Sequence, residues 1–168
     1  VAFSYGFIYV KGQLLTANDS GIQRFADLCG KNVVTTAGTT NERFLKSYNH
    51  EHKLDMSVIS AKDHGEAFQM LQSGRAVAFY MDDALLYGER AKAKDPHKWV
   101  VVGEEQSREI YSCMVRKDDP QFLAVVNETL GELYSSGEIN GIYQRWFEQP
   151  IPPKGLNLEF PMTSELKA

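Results

Sequence analysis

Three features of the 168-residue chain place chemistry-bearing side chains just after apolar runs. Gly38-Thr39-Thr40 follows Asn32–Thr36 (NVVTT), His64 follows Met56–Ser60 (MSVIS), and Asp82-Asp83 follows Ala76–Met81 (AVAFYM). A Gly-Thr-Thr turn that opens a helix offers backbone N–H groups and hydroxyls at the positive end of the helix dipole. That setting suits an anion such as a carboxylate. Plain capping is the alternative for the same three residues. Asp82 brings negative charge to the end of an apolar strand, where it suits an ammonium group. The alternative is an N-cap for a helix beginning at Ala84, with one acid of the pair capping and the other binding. His64 can donate a hydrogen bond to a second carboxylate or carry partial positive charge there. A structural histidine at a helix start is its alternative.

Other candidates carry less. His50-Glu51-His52 suggests a metal at first sight. However, positions i and i+2 do not share a helix face and no further cluster supports them, so no metal is expected. Cys29 and Cys113 lie outside any CxxC or Cys–His context, which argues against a nucleophile. A disulfide and ordinary buried thiols both remain open. Arg90-Ala91-Lys92-Ala93-Lys94 reads as dipole compensation on a solvent face. Ser-His-Asp, P-loop and GxGxxG signatures are absent, and no cofactor is expected.

These residues need elements to hold them. At 43% hydrophobic and 24% charged, the composition is that of a water-soluble α/β or mixed domain. The net charge of −4 argues against nucleic acid as a partner. No run of about 18 apolar residues is long enough to form a membrane-spanning helix.

Phe3, Tyr5, Phe7 and Tyr9 alternate with smaller residues, so residues 1–16 read as extended. Phe25 and Leu28 share a face of a short helix ended by Gly30. Thr39 with Glu42, and Asp63 with Glu66, have capping-box spacing and open two helices. Gly74 ends the second of these, over Phe68 and Leu71. The run Ala76–Met81 is continuously apolar and reads as a central strand. A helix through Leu86–Lys94 and a strand at Trp99–Val102 follow. Strands alternating with helices predict a parallel sheet with right-handed crossovers. The ligand side of such a sheet is the rim beyond its strand ends, where Gly38-Thr39-Thr40, His64 and Asp82 would converge. After Ile110–Arg116, a strand, two helices are expected at Phe122–Tyr134 and Ile139–Phe147, with Gly137 between them. The prolines at 150, 152 and 153 precede an extended tail to Ala168.

The segments FADLCGKNVVTTAGTTNE, ISAKDHGEAF, LQSGRAVAFYMDDALLYGERAKAK, SCMVRKDDPQF and RWFEQPIPPKGLNLEF run in this order over nearly the whole chain. Through them the sequence resembles the periplasmic solute-binding proteins of polar amino acid ABC importers, family 3, nearest the glutamate/aspartate-binding members. The resemblance implies a two-lobed flytrap that binds its amino acid between α/β lobes, each with a mostly parallel sheet flanked by helices. Residues 1–9 would be a hinge-crossing strand, 10–109 the ligand-binding second lobe, and 110–168 the return crossing with the last part of the first lobe.

The resemblance further implies that the Gly38-Thr39-Thr40 turn meets the ligand carboxylate, Asp82 grips the α-ammonium and His64 helps recognise the side-chain carboxylate. L-Glutamate or L-aspartate would be the ligand, an inner-membrane permease the partner, and the periplasm the location. It also implies a first-lobe segment ahead of Val1, holding an arginine for the α-carboxylate, so this chain would be a truncated fragment without signal peptide and would bind weakly. A flytrap sensory module and a dehydratase-like enzyme with His64 as acid are the alternatives. The apolar stripes around Trp146 and Phe147 predict either repacking onto the sheet or exchange between two copies as a dimer.

Overall fold

The computed structural model describes residues 1–164; the last four residues of the expected extended tail, 165–168, lie outside the described residues. The chain divides into two compact units, Lys11–Ser107 and Val1–Val10 with Arg108 onward. One long strand, β1 (Ala2–Ala17), contributes residues to both.

The unit Lys11–Ser107 is built on β–α alternation. Phe25–Leu28 forms a 3-10 turn with both end residues buried. Then come β2 (Asn32–Thr36), α1 (Thr40–His52), β3 (Ser57–Ala61), α2 (His64–Gln72), β4 (Ala78–Asp82), α3 (Asp83–Ala91) and β5 (Trp99–Val102). The strand order is β3-β2-β4-β1-β5. β2 pairs in parallel with β3 and β4, while β1 runs antiparallel to β4 and β5. Four strands therefore share one direction, and β1 interposes against them. That insertion adds two antiparallel pairings to the parallel sheet expected from alternation alone. β4 is buried along its whole length, as its unbroken apolar run requires.

Side chains of successive strand residues point to opposite faces. Val34, Phe79, Met81 and Leu15 therefore pack with Phe68 and Leu71 of α2 and Leu86 of α3. Val33, Ala78, Tyr80 and Leu14 pack on the other face with Phe25, Leu28 and Leu45. Each fully buried large side chain contributes roughly 1.5–3 kcal/mol. Several boundaries differ from expectation, β4 among them, which runs Ala78–Asp82 rather than Ala76–Met81. β3 starts one residue late, because the Met56 backbone N–H donates to the Asn49 side chain and its carbonyl accepts from the same amide. α3 starts at Asp83, one residue ahead of the expected Ala84, and ends at Ala91 rather than Lys94, so both aspartates lie at its N-terminus.

The other unit holds the first part of β1, β6 (Arg108–Val115), α4 (Pro120–Ser136), α5 (Glu138–Tyr143) and a π-helical turn at Gln144–Glu148. β6 pairs with β1, and the Ser4 hydroxyl accepts the Cys113 N–H at 2.9 Å. Gly6 is required there, since a Cβ would come within 2.1 Å of Ile110. Gly137 separates the helices at φ 77°, where glycine is favoured. α4 has no buried residue, and Phe122 and Val125 are more than half exposed. Trp146 is also exposed, whereas Phe147 stacks on Tyr143 with ring centroids 4.5 Å apart. The stripe expected to lie bare is thus only partly so.

Candidate functional site

The parallel register sets Thr36 beside Ala61, and Val34 beside Phe79. The C-terminal ends of β2, β3 and β4 consequently share one rim, and each leads into a helix. At the end of β2, Gly38 takes φ +75°. The Thr39 hydroxyl donates to the Thr36 carbonyl at 2.7 Å and accepts the Glu42 N–H at 3.1 Å, so Thr39 caps α1. Glu42 departs from the usual capping box, since its carboxylate reaches Gly38 N–H, at 2.7 Å, rather than the cap residue's own N–H. The same carboxylate accepts from Lys46 Nζ at 2.7 Å and, over a short hydrogen bond, from the Ser60 hydroxyl. Lys46 first, then Ser60 and Gly38, hold the Glu42 carboxyl down to about 2. The turn is thereby tied to α1 and β3. Thr40 stands exposed at the first helical position.

His64 opens α2 behind the Asp63 cap, whose carboxylate accepts the Glu66 N–H at 2.8 Å. Its Nδ1 lies 2.7 Å from the Thr36 hydroxyl, which sets the ring orientation and leaves Nε2 as the nitrogen for another group.

The aspartate pair divides its work. Asp83 is buried and accepts from the backbone N–H groups of Lys11, at 3.1 Å, and Ala84, at 2.8 Å. Burial pushes its carboxyl up, against those two hydrogen bonds. Asp82 is also buried and makes no side-chain cap to α3. Its carboxylate instead accepts the Asn41 amide at 2.9 Å.

Two residues that the motifs did not single out therefore connect the three that they did. Thr36 joins His64 to the end of β2, and Asn41 joins Asp82 to the first turn of α1. The resulting rim combines a helix N-terminus, a buried carboxylate and an imidazole.

The remaining candidates stay apart from this rim chemistry. The His52 ring packs on Tyr48 at 4.0 Å. Among the described residues, no three His, Cys, Asp or Glu side chains come together as a metal site. Cys29 and Cys113 are free, exposed thiols in different units, neither paired nor buried. Lys92 pairs with Glu89 at 2.6 Å, and the Arg90 guanidinium lies 5.3 Å from the Tyr87 ring centre.

Comparison with known proteins agrees with this fold. The chain is 62% identical over 167 residues to the L-glutamate/L-aspartate-binding protein of Pseudomonas aeruginosa. It is 52% identical over 167 residues to the glutamate/aspartate import solute-binding protein of Escherichia coli. These alignments cover 99% of this chain and 55% of each relative, so the chain spans about half the length of the curated relatives it matches. Among solved structures, an ancestral arginine-binding protein bound to arginine superposes with a TM-score of 0.73 at 31% identity. That match covers 88% of this chain and 64% of the other. A periplasmic binding protein from Brucella ovis with glutathione bound gives a TM-score of 0.76 at 26% identity, over 82% of this chain and 44% of that one. The sequence profile of the bacterial extracellular solute-binding proteins, family 3, matches residues 1–149, and the chain belongs to that family.

Proposed function

We propose that the chain carries one side of an amino acid-binding cleft, formed by the rim of the Lys11–Ser107 unit. The protein it serves would capture L-glutamate or L-aspartate in the periplasm and hand it to an inner-membrane ABC permease, as a binder rather than an enzyme. In this reading the Lys11–Ser107 unit is the ligand-binding lobe, β1 and β6 are the crossing strands, and the later helices belong to the other lobe. The observation that carries it is the convergence of the α1 N-terminus, Asp82 and His64 on one rim. An acidic amino acid has one ammonium and two carboxylates, and the rim offers a partner of suitable charge or polarity to each. The similarity to the glutamate/aspartate-binding relatives supports the same ligand class.

The test is a titration of the 15N-labelled chain with L-glutamate and L-aspartate into the millimolar range, with L-lysine as control. The backbone amides of Gly38–Asn41, His64–Gly65 and Asp82–Asp83 are expected to shift with the acidic amino acids. A response spread evenly over the surface, or equal for L-lysine, would overturn the assignment.

We also propose that a second copy of this chain covers the exposed apolar residues Phe122, Val125 and Trp146, by exchange of the C-terminal helices. Light scattering during size exclusion would read twice the 19.0 kDa chain mass. A monomer at every concentration tested would refute the exchange.

A further inference from the structure

Asn41 is almost fully buried, at 3% exposure, in the first turn of α1, and Asp82 is 5% exposed at the end of β4. The Asn41 amide donates to Asp82 Oδ1 over 2.9 Å. Burying a side-chain amide is costly unless it is hydrogen-bonded. This contact therefore compensates the burial and restrains a carboxylate that is not used to cap its own helix.

The position of the bond matters as much as its strength. An α-amino acid carries its ammonium and carboxylate on one carbon. A site for both must hold its anion-binding turn and its cation-binding carboxylate a short, constant distance apart. Here the turn belongs to α1 and the carboxylate to β4. One asparagine side chain, rooted in the α1 first turn and bonded to Asp82, spans between them.

We propose that Asn41 is a positioning residue for α-amino acid recognition, holding the Asp82 carboxylate in register with the α1 N-terminus. This inference rests on the assignment of Asp82 to the ligand ammonium. Asn41 is not assigned a contact with the ligand. Its effect should be felt wherever an ammonium group is recognised and should be silent for ligands lacking one.

The experiment compares L-glutamate with glutarate, the same dicarboxylate without the amino group, by NMR titration of the full 168-residue chain. The variants are Asn41→Ala, Asn41→Ser and Asp82→Asn, each checked for retained fold by its amide spectrum and thermal melt. For the wild-type chain, L-glutamate should bind more tightly than glutarate. Asn41→Ala should reduce that preference by about tenfold, the effect of one hydrogen bond to a charged group, while leaving glutarate affinity within about twofold. If either Asn41 variant weakens both ligands equally, the residue is merely structural and the proposal fails. If Asp82→Asn abolishes the preference and the Asn41 variants keep it, Asp82 is positioned without Asn41 and the proposal again fails. If the wild-type chain shows no preference, or Asp82→Asn leaves it intact, the ammonium assignment itself falls. Should Asn41→Ala unfold, Asn41→Ser retains a small polar side chain too short to span the gap and gives the same readout.

Discussion

The Thr36 hydroxyl and His64 Nδ1 meet at 2.7 Å, joining the last residue of β2 to the first residue of α2. A half-buried imidazole opening a helix would otherwise sample several orientations. The buried threonine fixes one of them. Thr36→Val keeps the shape and removes the partner. It should lower stability by about 1 kcal/mol, read by urea denaturation. On the proposed ligand assignment it should also reduce the preference for L-glutamate over neutral L-glutamine by about threefold to tenfold. Unchanged selectivity would show that His64 needs no such support.

Glu42 makes the turn that precedes α1 sensitive to acid. Its carboxyl is lowered from an ordinary 4.5 to about 2 in the folded chain by Lys46, Ser60 and Gly38. The folded state therefore binds this proton less readily than the unfolded state does. The contribution is complete above about 4.5 and disappears as the pH falls toward about 2. Glu42→Gln should destabilise the protein at neutral pH, with the gap to wild type closing across that interval. Denaturation curves at stepped pH measure it, and a gap independent of pH would contradict the ionic role.

Asp83 has the opposite sign. Its carboxyl is raised by burial, so the folded state holds the proton more readily than the unfolded state. Its favourable contribution is full below the unfolded value near 3.8 and is lost as the pH rises through the folded value. Asp83→Asn keeps an oxygen to accept the Lys11 and Ala84 N–H groups without burying a charge. The variant should melt at a higher temperature than wild type at pH 7, and the advantage should fade in acid. A lower melting temperature at pH 7 would show that the ionised form is the one the fold requires.

Gly12 lies opposite Asp82 in the β1–β4 register, and its lack of a side chain admits the Tyr80 hydroxyl. A Cβ there would lie 2.2 Å from that oxygen and 2.6 Å from the Ser107 hydroxyl. The Tyr80 ring is fully buried between Phe25 and Phe44, with centroids at 5.3 and 5.6 Å, and has little room to retreat. Gly12→Ala should cost about 1–3 kcal/mol of stability by chemical denaturation. A cost below the error of the measurement would mean that the ring moves aside.

Several elements could be read from residue order because their causes are local. The Thr39 and Asp63 caps and the Gly137 break depend on neighbours within a few positions and appear where the spacing predicts them, and the apolar run of β4 lies within two residues of its expected place. The positions of Thr39 and Thr40, His64 and Asp82 on one rim follow from repeated parallel β–α units, a consequence of chain handedness. Other features join residues far apart in sequence. β1 enters the sheet between β4 and β5 because Leu14, Leu15 and Thr16, buried on both faces, need partners on either side. The Thr36–His64 and Asn41–Asp82 bonds bridge 28 and 41 positions. The split between Asp82 and Asp83 depends on which carboxylate meets the Lys11 backbone and which meets Asn41. The sequence alone determined which chemical groups reach the rim, since spacing and alternation are enough to carry them there. Only the tertiary structure decided how each group is aimed, because orientation comes from hydrogen bonds between segments that meet only once the sheet is assembled.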